Sequence, residues 1–147
     1  MLYMPTESSS TLRVWALLTR VHGIKTQLVS GRLQAAHGLS INDYETLAAL
    51  SHAPGQRMKR VELARALLIT SSGVTRLLEG LQDAGLVERT ASDADLRVAY
   101  AQLTAAGGAM LESASCDYVE TIGMLLETHL TGDELDQLGA LLGKLSD

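Results

Sequence analysis

The stretch that decides the fold is residues 60–81, which reads RVELARALLITSSGVTRLLEGL. The pattern of residues 60–67 predicts one short helix. Apolar side chains at helical spacing after Thr70 predict a second helix. A helix-turn-helix needs apolar residues where its helices touch and a small residue, here Ala64, where they cross. The apolar positions hold Leu63, Leu67, Ile69, Val74 and Leu77. The stretch therefore predicts a helix-turn-helix.

The outward face of the second helix is short, polar and able to hydrogen-bond. Its apolar face takes Val74, Leu77, Leu78 and Leu81. The side chains that must point elsewhere are Ser71, Ser72, Thr75, Arg76 and Glu79. Hydroxyls can reach base edges or phosphates, arginine can bind guanine or phosphate bidentately, and a helix N-terminus favours phosphate. On this pattern alone, DNA binding and an ordinary helical pair with a solvated face both remain open.

A hairpin is predicted directly after this helix pair. Residues 86–89 form the first strand, residues 92–95 the turn and residues 98–103 the returning strand. Arg89 and Arg97 flank the turn. A two-stranded wing at this place can lie along the minor groove and present arginine to its negative potential. An ordinary hairpin with a solvated tip is the alternative, and the position after a recognition-like helix favours the wing.

The rest of the chain predicts helices. Residues 12–34 carry an apolar stripe that ends before Gly38, and Ser40 with Asp43 caps a second helix. A long helix follows Thr104, and residues 131–134 form a capping box that opens the last helix. Aromatic residues make up only 3% of the chain and Phe is absent, so the core is built from aliphatic side chains that suit helices.

The net charge of −5 does not exclude a nucleic-acid partner, because the acidity is local. Residues 104–147 carry eight acidic side chains and one basic side chain, whereas residues 57–97 carry seven basic and six acidic ones. Screening limits the reach of a charge to about 8–10 Å in physiological salt, so the local field decides phosphate attraction. No apolar run approaches the length of a membrane span and the start lacks a secretory pattern, so we expect a cytoplasmic protein without membrane contact.

Six segments carry a pattern that spans most of the chain: residues 39–40, 61–64, 72–77, 81–89, 95–97 and 103–107. In these segments the sequence resembles the MarR family of bacterial ligand-responsive transcription regulators. The similarity extends over residues 12–145 and is most specific over residues 61–107.

The resemblance implies a homodimer joined through its first and last helices, with two winged lobes on one palindromic operator. It places residues 71–81 in the major groove. It also implies that Asp95 pairs with Arg97 to hold the wing, which leaves Arg89 and the polar turn nearer the DNA. Leu96 stands where a second arginine is usual, so the minor-groove contact is expected to be weaker or shifted to another residue.

The expected fold is therefore mainly α with a small β-hairpin wing: a winged helix-turn-helix with N- and C-terminal dimerisation helices. We expect residues 1–11 to be disordered, residues 12–36 and 104–147 to form the dimerisation region, and residues 37–103 to form the DNA-binding lobe. The candidate DNA-binding residues are Arg60, Thr70, Ser71, Ser72, Thr75, Arg76, Arg89, Asp93 and Arg97.

A small-molecule pocket is implied by the same resemblance, between the dimerisation helices and the lobe. Its candidate lining residues are Trp15, His22 and Tyr44, although Trp15 and Tyr44 could instead be two large core residues. The single cysteine, Cys116, fits a reducing cytosol and is interpreted as a buried or inert thiol. The four histidines are scattered, so neither a metal nor another cofactor is expected.

The predicted function is a ligand-responsive transcription regulator, in the family's commoner mode a repressor, that binds double-stranded DNA as a homodimer. The alternative is a winged-helix protein–protein interaction module, which the acidic balance and the few arginines at the wing support. The polar cluster at Ser71, Ser72, Thr75 and Arg76 argues against the alternative. No enzymatic activity is predicted, since the sequence contains no Gly-x-Ser-x-Gly, no Cys-x-x-Cys and no phosphate loop.

Overall fold

A computed structural model describes residues 9–146 of the chain, and these residues form six α-helices and a three-stranded sheet. The predicted class, mainly α with a small β wing, is confirmed. The elements in chain order are α1 (Ser10–His37), α2 (Ile41–His52), a 3₁₀ turn (Pro54–Gln56), β1 (Arg57–Met58), α3 (Arg60–Leu67), α4 (Ser71–Asp83), β2 (Val87–Ala91), β3 (Ala99–Leu103), α5 (Ala105–Glu127) and α6 (Gly132–Gly143).

Local capping chemistry sets where the helices of the lobe begin and end. The hydroxyl of Ser40 accepts the Asp43 N–H at 3.1 Å, and the Asp43 carboxylate accepts the Ser40 N–H at 2.8 Å, which starts α2. The hydroxyl of Thr70 accepts the Gly73 N–H at 3.1 Å and starts α4. Gly38 ends α1 with a φ of 69°, a left-handed conformation that favours glycine. These predicted boundaries are confirmed.

The N-terminal boundary of α1 differs from the prediction. Ser9 caps the helix by accepting the Leu12 N–H at 3.5 Å, so α1 begins at Ser10. Residues 10 and 11, which were expected to be disordered, therefore belong to α1 because the cap lies one turn earlier than the apolar stripe indicates. Residues 1–8 of that prediction lie outside the described residues.

The sheet contains a strand that the sequence pattern did not predict. Its order is β1-β3-β2, and both neighbouring pairs are antiparallel. In β1, Arg57 pairs with Gln102 and Met58 pairs with Ala101. Two residues are too few to show the alternation that marks a strand, which is why β1 escaped the prediction. The predicted hairpin is present, as β2 and β3.

One hydrophobic core joins the helix-turn-helix to the long helices. Leu63 of α3 and Val74 of α4 are fully buried, and the other predicted helix-turn-helix positions pack against them. Leu33 of α1 and Ala114 of α5 are buried in the same cluster. The lobe is therefore fixed to the C-terminal part of α1 and to α5 by shared packing.

Helix α1 and the C-terminal segment (residues 104–146) leave many large apolar side chains exposed. Trp15 is 69% exposed, so the alternative interpretation of Trp15 as a core residue is wrong. The other exposed large apolar residues of these two segments are Leu12, Val14, Leu17, Val21, Ile24, Leu28, Val119, Met124, Leu138, Leu141, Leu142 and Leu145. Their exposure exceeds the scattered apolar surface that is normal for a monomer.

The start of α5 packs so tightly on the loop before β2 that it requires glycine. A Cβ at Gly107 would overlap the carbonyl oxygen of Leu86 and would stand 2.7 Å from Cδ1 of Leu103. Thr104 anchors the same junction, since its N–H donates to the Leu86 oxygen at 3.2 Å and its hydroxyl donates to the Gly85 oxygen at 2.7 Å. The hairpin and α5 are thus held together at backbone distance.

We expect Gly107→Ala to destabilise the protein by about 2 kcal/mol or more, because the added methyl group meets backbone that cannot move freely. Urea unfolding followed by far-UV circular dichroism measures this loss. Gly108→Ala is the matched control: its Cβ would meet only Leu103 at 4.0 Å, and the same change in a helix usually stabilises by roughly 0.5–1 kcal/mol. Equal stability of the two variants would contradict the assigned packing.

Candidate nucleic-acid interface

The N-terminus of α4 presents a group of hydroxyls to solvent. Thr70 caps the helix, its Oγ1 lies 3.1 Å from the Ser72 Oγ, and Ser71 and Ser72 are both exposed. The unpaired N–H groups and the helix dipole give this end a partial positive charge. The arrangement suits an anionic group such as a phosphate.

Arg60, at the start of α3, contacts the exposed side of α4. Its Nη1 donates to the Thr75 Oγ1 at 3.4 Å, and that hydroxyl in turn donates to the Ser71 carbonyl at 3.2 Å. Arg76, the next residue on α4, is exposed. The structure therefore brings together six of the predicted residues on one surface: Arg60, Thr70, Ser71, Ser72, Thr75 and Arg76.

Arg89 extends this surface onto the sheet. It pairs with Ala101, a core-facing residue of β3, so its side chain lies on the sheet face that packs towards α4. Arg60 and Arg89 line one shallow cleft together with Gln82 and Tyr100. Within residues 9–146 neither guanidinium forms an ion pair with a carboxylate. Both positive charges are therefore available to a ligand.

The wing turn is closed by Asp95. Its Oδ1 accepts the backbone N–H of Arg97 at 3.0 Å and the Nε–H of the same residue at 3.3 Å. Two further bonds close the turn, from the Ser92 N–H to the Val98 oxygen and from the Val98 N–H to the Asp95 oxygen, each at 3.0 Å. Asp93 is exposed, and the side chain of Arg97 is 92% exposed despite its contact with Asp95. The pairing that the resemblance implied is present in the geometry.

A second arginine contact was missed because β1 was missed. The guanidinium of Arg57 lies 4.5 Å from the centroid of the Tyr100 ring, a cation–π arrangement that holds the side chain against the sheet. Arg57 and Tyr100 are 43 positions apart in sequence, and only the β1–β3 pairing brings them together. A sequence pattern offers no signal for such a contact.

The three predicted pocket residues do not converge within one protomer. Trp15 and His22 are exposed on the first half of α1, whereas Tyr44 is only 8% exposed. The Tyr44 ring stacks on Tyr118 with centroids 4.1 Å apart, and its hydroxyl lies 3.1 Å from the Ser115 Oγ. The first half of α1 extends past the lobe core, which separates its side chains from Tyr44. The pocket itself stays a prediction.

Tyr44 is buried in the hydrophobic core, so the alternative interpretation of Tyr44 as a large core residue is confirmed. Next to it, polar contacts link α1, α2 and α5, and we call this region the polar junction. His37 Nε2 lies 2.5 Å from Asp117 Oδ2, and the Lys25 ammonium donates to the Leu125 carbonyl at 3.2 Å near the end of α5. Burial raises the pKa of Tyr118, and the nearby Glu45 and Tyr44 raise it further. These partners are 71 to 100 positions apart, so the sequence pattern gave no sign of them.

The described part of the chain also shows where the thiol lies and whether side chains gather in a metal-binding arrangement. Cys116 is exposed, so the interpretation of a buried thiol is wrong, because its side of α5 faces away from the lobe core; its inertness stays a prediction. Residues 9–146 contain no group of three or more histidine, cysteine or acidic side chains placed to hold a metal ion. None of the described helices combines the length and apolar character needed to cross a bilayer.

A helix-turn-helix with an exposed polar second helix, followed by a two-stranded wing, defines the winged-helix class of nucleic-acid-binding architecture. A family model described as the MarR family matches residues 37–97. The transcriptional repressor Rv2887 of Mycobacterium tuberculosis is 33% identical over 129 residues, which cover 88% of this chain and 90% of the relative. The repressor YetL of Bacillus subtilis is 32% identical over 111 residues, which cover 76% of this chain and 66% of YetL. The chain belongs to the MarR family of winged-helix transcription regulators.

Solved structures agree with this assignment. A cysteine-to-serine variant of MarR from Escherichia coli in complex with operator DNA superimposes with a TM-score of 0.79 at 26% identity, covering 95% of this chain and 100% of that one. Rv2887 in complex with p-aminosalicylic acid superimposes with a TM-score of 0.72 at 30% identity, covering 91% of this chain and 98% of that one. The whole architecture, including the long helices, is therefore shared with the family.

The bonds from Asp95 to Arg97 lead to a prediction about the wing. In Asp95→Ala the turn loses two hydrogen bonds, so we expect trypsin to cleave after Arg97 several times faster than in the parent protein. Mass spectrometry of the time course measures the rate at that bond. Asp93→Ala removes a carboxylate from the same exposed turn and should leave the rate unchanged. A rate unaffected by Asp95→Ala would show that Asp95 does not hold the turn.

Proposed function

We propose that this protein is a cytoplasmic transcription repressor that binds a palindromic operator as a homodimer and releases it when a small molecule binds. The observation that carries the proposal is the polar face of α4, which is exposed beside unpaired arginines. The DNA complex of E. coli MarR and the repressor function of Rv2887 and YetL support it.

The proposed DNA contacts follow from the geometry of this surface. The exposed face of α4 enters the major groove, where Ser71, Ser72, Thr75 and Arg76 meet base edges and phosphates. Arg60 and Arg89, which line one cleft, neutralise backbone phosphates that fix the register of the lobe. The wing reaches the adjacent minor groove with Asp93 and Arg97 at its turn.

The acidic balance of the chain does not oppose this binding mode. Seven of the twelve basic side chains fall within residues 57–97, and the acidic excess lies in residues 104–147. Two acidic residues lie near this surface: Glu62 on α3, whose carboxylate accepts the Lys59 N–H at 2.8 Å, and the exposed Glu79 on α4. At the start of α4, the arginines and the N–H groups of the helix terminus supply positive charge against these carboxylates.

The homodimer is supported by the exposed apolar side chains of α1 and the C-terminal segment. A single protomer leaves Leu17 49%, Leu141 59% and Leu145 68% exposed. Two copies related by a twofold axis would cover the same patch on each other. Twofold symmetry would also place two α4 helices about one DNA turn (roughly 34 Å) apart, which matches a palindromic operator.

A small-molecule effector is supported by the complex of Rv2887 with p-aminosalicylic acid. The polar junction joins α1 and α2 to α5 through the contacts of His37 with Asp117 and of Tyr44 with Ser115. A ligand that prefers one arrangement of this junction shifts the population of dimers away from the spacing that fits DNA. A coupling free energy of about 1–3 kcal/mol changes affinity by roughly 5- to 150-fold.

The alternative function is a protein–protein interaction module, which the net charge of −5 favours. The two functions differ in their response to salt. DNA binding releases condensed counterions and must weaken steeply as ionic strength rises, whereas a protein interface responds less.

The direct test is selection of random duplexes by the purified dimer at moderate salt, followed by sequencing. We expect enrichment of a palindrome whose half-sites are about one helical turn (~10 bp) apart. Transcription from a promoter that overlaps this operator then shows the sign of regulation. Failure of a folded, dimeric protein to enrich any motif would contradict the proposal and favour the interaction module.

Arg76→Ala is expected to weaken binding to the selected operator by about tenfold or more without loss of folding, since Arg76 is exposed and makes no core contact. Fluorescence anisotropy gives the affinity and thermal melting verifies the fold. The control is Arg32→Ala, which removes the same charge from an exposed position on α1 and should change affinity little. Unchanged operator affinity in Arg76→Ala would remove Arg76 from the proposed interface.

The dimer interface is tested by Leu141→Asp, which places a charge in the exposed apolar surface of α6. We expect sedimentation equilibrium to show twice the chain mass of 15.7 kDa for the parent protein and a shift towards the single-chain mass for this variant. Leu68→Asp alters a leucine that is more exposed but lies in the turn between α3 and α4, and should remain dimeric. Dissociation of both variants, or of neither, would contradict the assigned interface.

A further inference from the structure

Leu96 is a large apolar side chain at the tip of the wing. It is 84% exposed, and residues 92–95 and Arg97 around it are small or polar. The backbone on both sides is fixed, because Asp95 accepts the Arg97 N–H and the Ser92 N–H donates to the Val98 oxygen. Leu96 is thus presented to solvent by an ordered turn, although water is a poor environment for it.

The charges at the tip do not favour an electrostatic contact with DNA. Asp93 and Asp95 contribute two negative charges, and Arg97 contributes one positive charge whose Nε–H is already bonded to Asp95. The turn between β2 and β3 therefore has no positive excess. Attraction between arginine and phosphate is therefore not sufficient to hold the wing turn in a DNA groove, and a second kind of interaction is needed.

The hairpin that carries Leu96 is continuous with the proposed DNA surface. β2 carries Arg89, which shares a cleft with Arg60 next to α4. A wing beside a recognition helix reaches the minor groove that flanks the bound major groove. In that groove, leucine is one of the side chains that can enter between base pairs and partly unstack them.

We infer that Leu96 is a specificity-determining residue that inserts its apolar side chain into the minor groove flanking each half-site. This inference rests on the proposed function. Insertion is least costly at flexible pyrimidine–purine steps and most costly in stiff A-tracts. The wing therefore selects DNA that can be unstacked, and Asp95 and Arg97 hold the turn that presents Leu96.

The test uses the operator that the parent protein selects, with either a TA step or an A-tract at the flank. Leu96→Ala should bind the TA operator about tenfold more weakly, with an unchanged salt dependence, because no charge is lost. Leu96→Met retains a long apolar side chain and should bind within about twofold of the parent protein. Leu96→Arg should gain about one unit of salt slope for each wing and transfer its preference to the A-tract.

A fluorescent 2-aminopurine at the flanking step gives a readout on the DNA itself. Its emission should rise when the parent protein or Leu96→Met binds, and should rise less with Leu96→Ala, because unstacking is lost. Equal affinity of Leu96→Ala and the parent protein for the TA operator, or equal emission, would overturn the inference. The parent protein's own preference between the two flanks tests it without any substitution.

The results of these binding experiments distinguish a failure of the Leu96 inference from a failure of the proposed function. If the parent protein selects no operator, the proposed function fails. If it selects an operator but binds both flanks equally, and Leu96→Ala binds as the parent does, only the role of Leu96 fails. Thermal melting of each variant verifies that the fold is intact, as expected for a side chain that is almost entirely exposed.

Discussion

The burial of one face of α4 is the constraint on which the rest of the structure depends. Val74 and Leu78 are packed in the core with Leu63 of α3, so the helix has only one orientation relative to the lobe. Because the helical period fixes the remaining directions, its serines, Thr75 and Arg76 must lie on the other face. The same contacts that stabilise the lobe thus expose its polar surface, and folding and recognition are specified together.

The core then extends from the lobe into the long helices. Leu33 and Ala114 are buried with the lobe residues, while the first half of α1 and α6 remain exposed. The His37–Asp117 pair and the contact of Lys25 with the end of α5 add polar links on the same side. The lobe and the core-bound part of α1 are therefore packed as one unit, and the apolar surface of the first half of α1 and of α6 stays outside it.

The sequence predicted the parts of the fold that depend on local chemistry. Caps at Ser40, Thr70 and Thr131, the left-handed Gly38 and the apolar face of α4 are each encoded within a few residues. The candidate surface of α4 could also be predicted, because the spacing of the apolar residues identifies the buried positions and the remaining positions must be exposed. What could not be predicted depends on contacts between distant positions: the two-residue β1, Arg57 on Tyr100, and the junction at Tyr44. Trp15 was ambiguous for a related reason, because an apolar stripe does not reveal whether it is covered by its own chain or by another.

The length of α1 has a mechanical consequence. Its 28 residues make a rod of roughly 42 Å, anchored in the lobe core at one end. A rod of this length is a lever arm: a tilt of about 5° at the far end displaces the anchored lobe by roughly 3–4 Å. That distance is about the rise of one base pair (~3.4 Å). In the proposed dimer on the proposed operator, a small change of the angle between protomers would therefore shift α4 by about one base-pair step relative to its half-site, without any rearrangement inside the lobe.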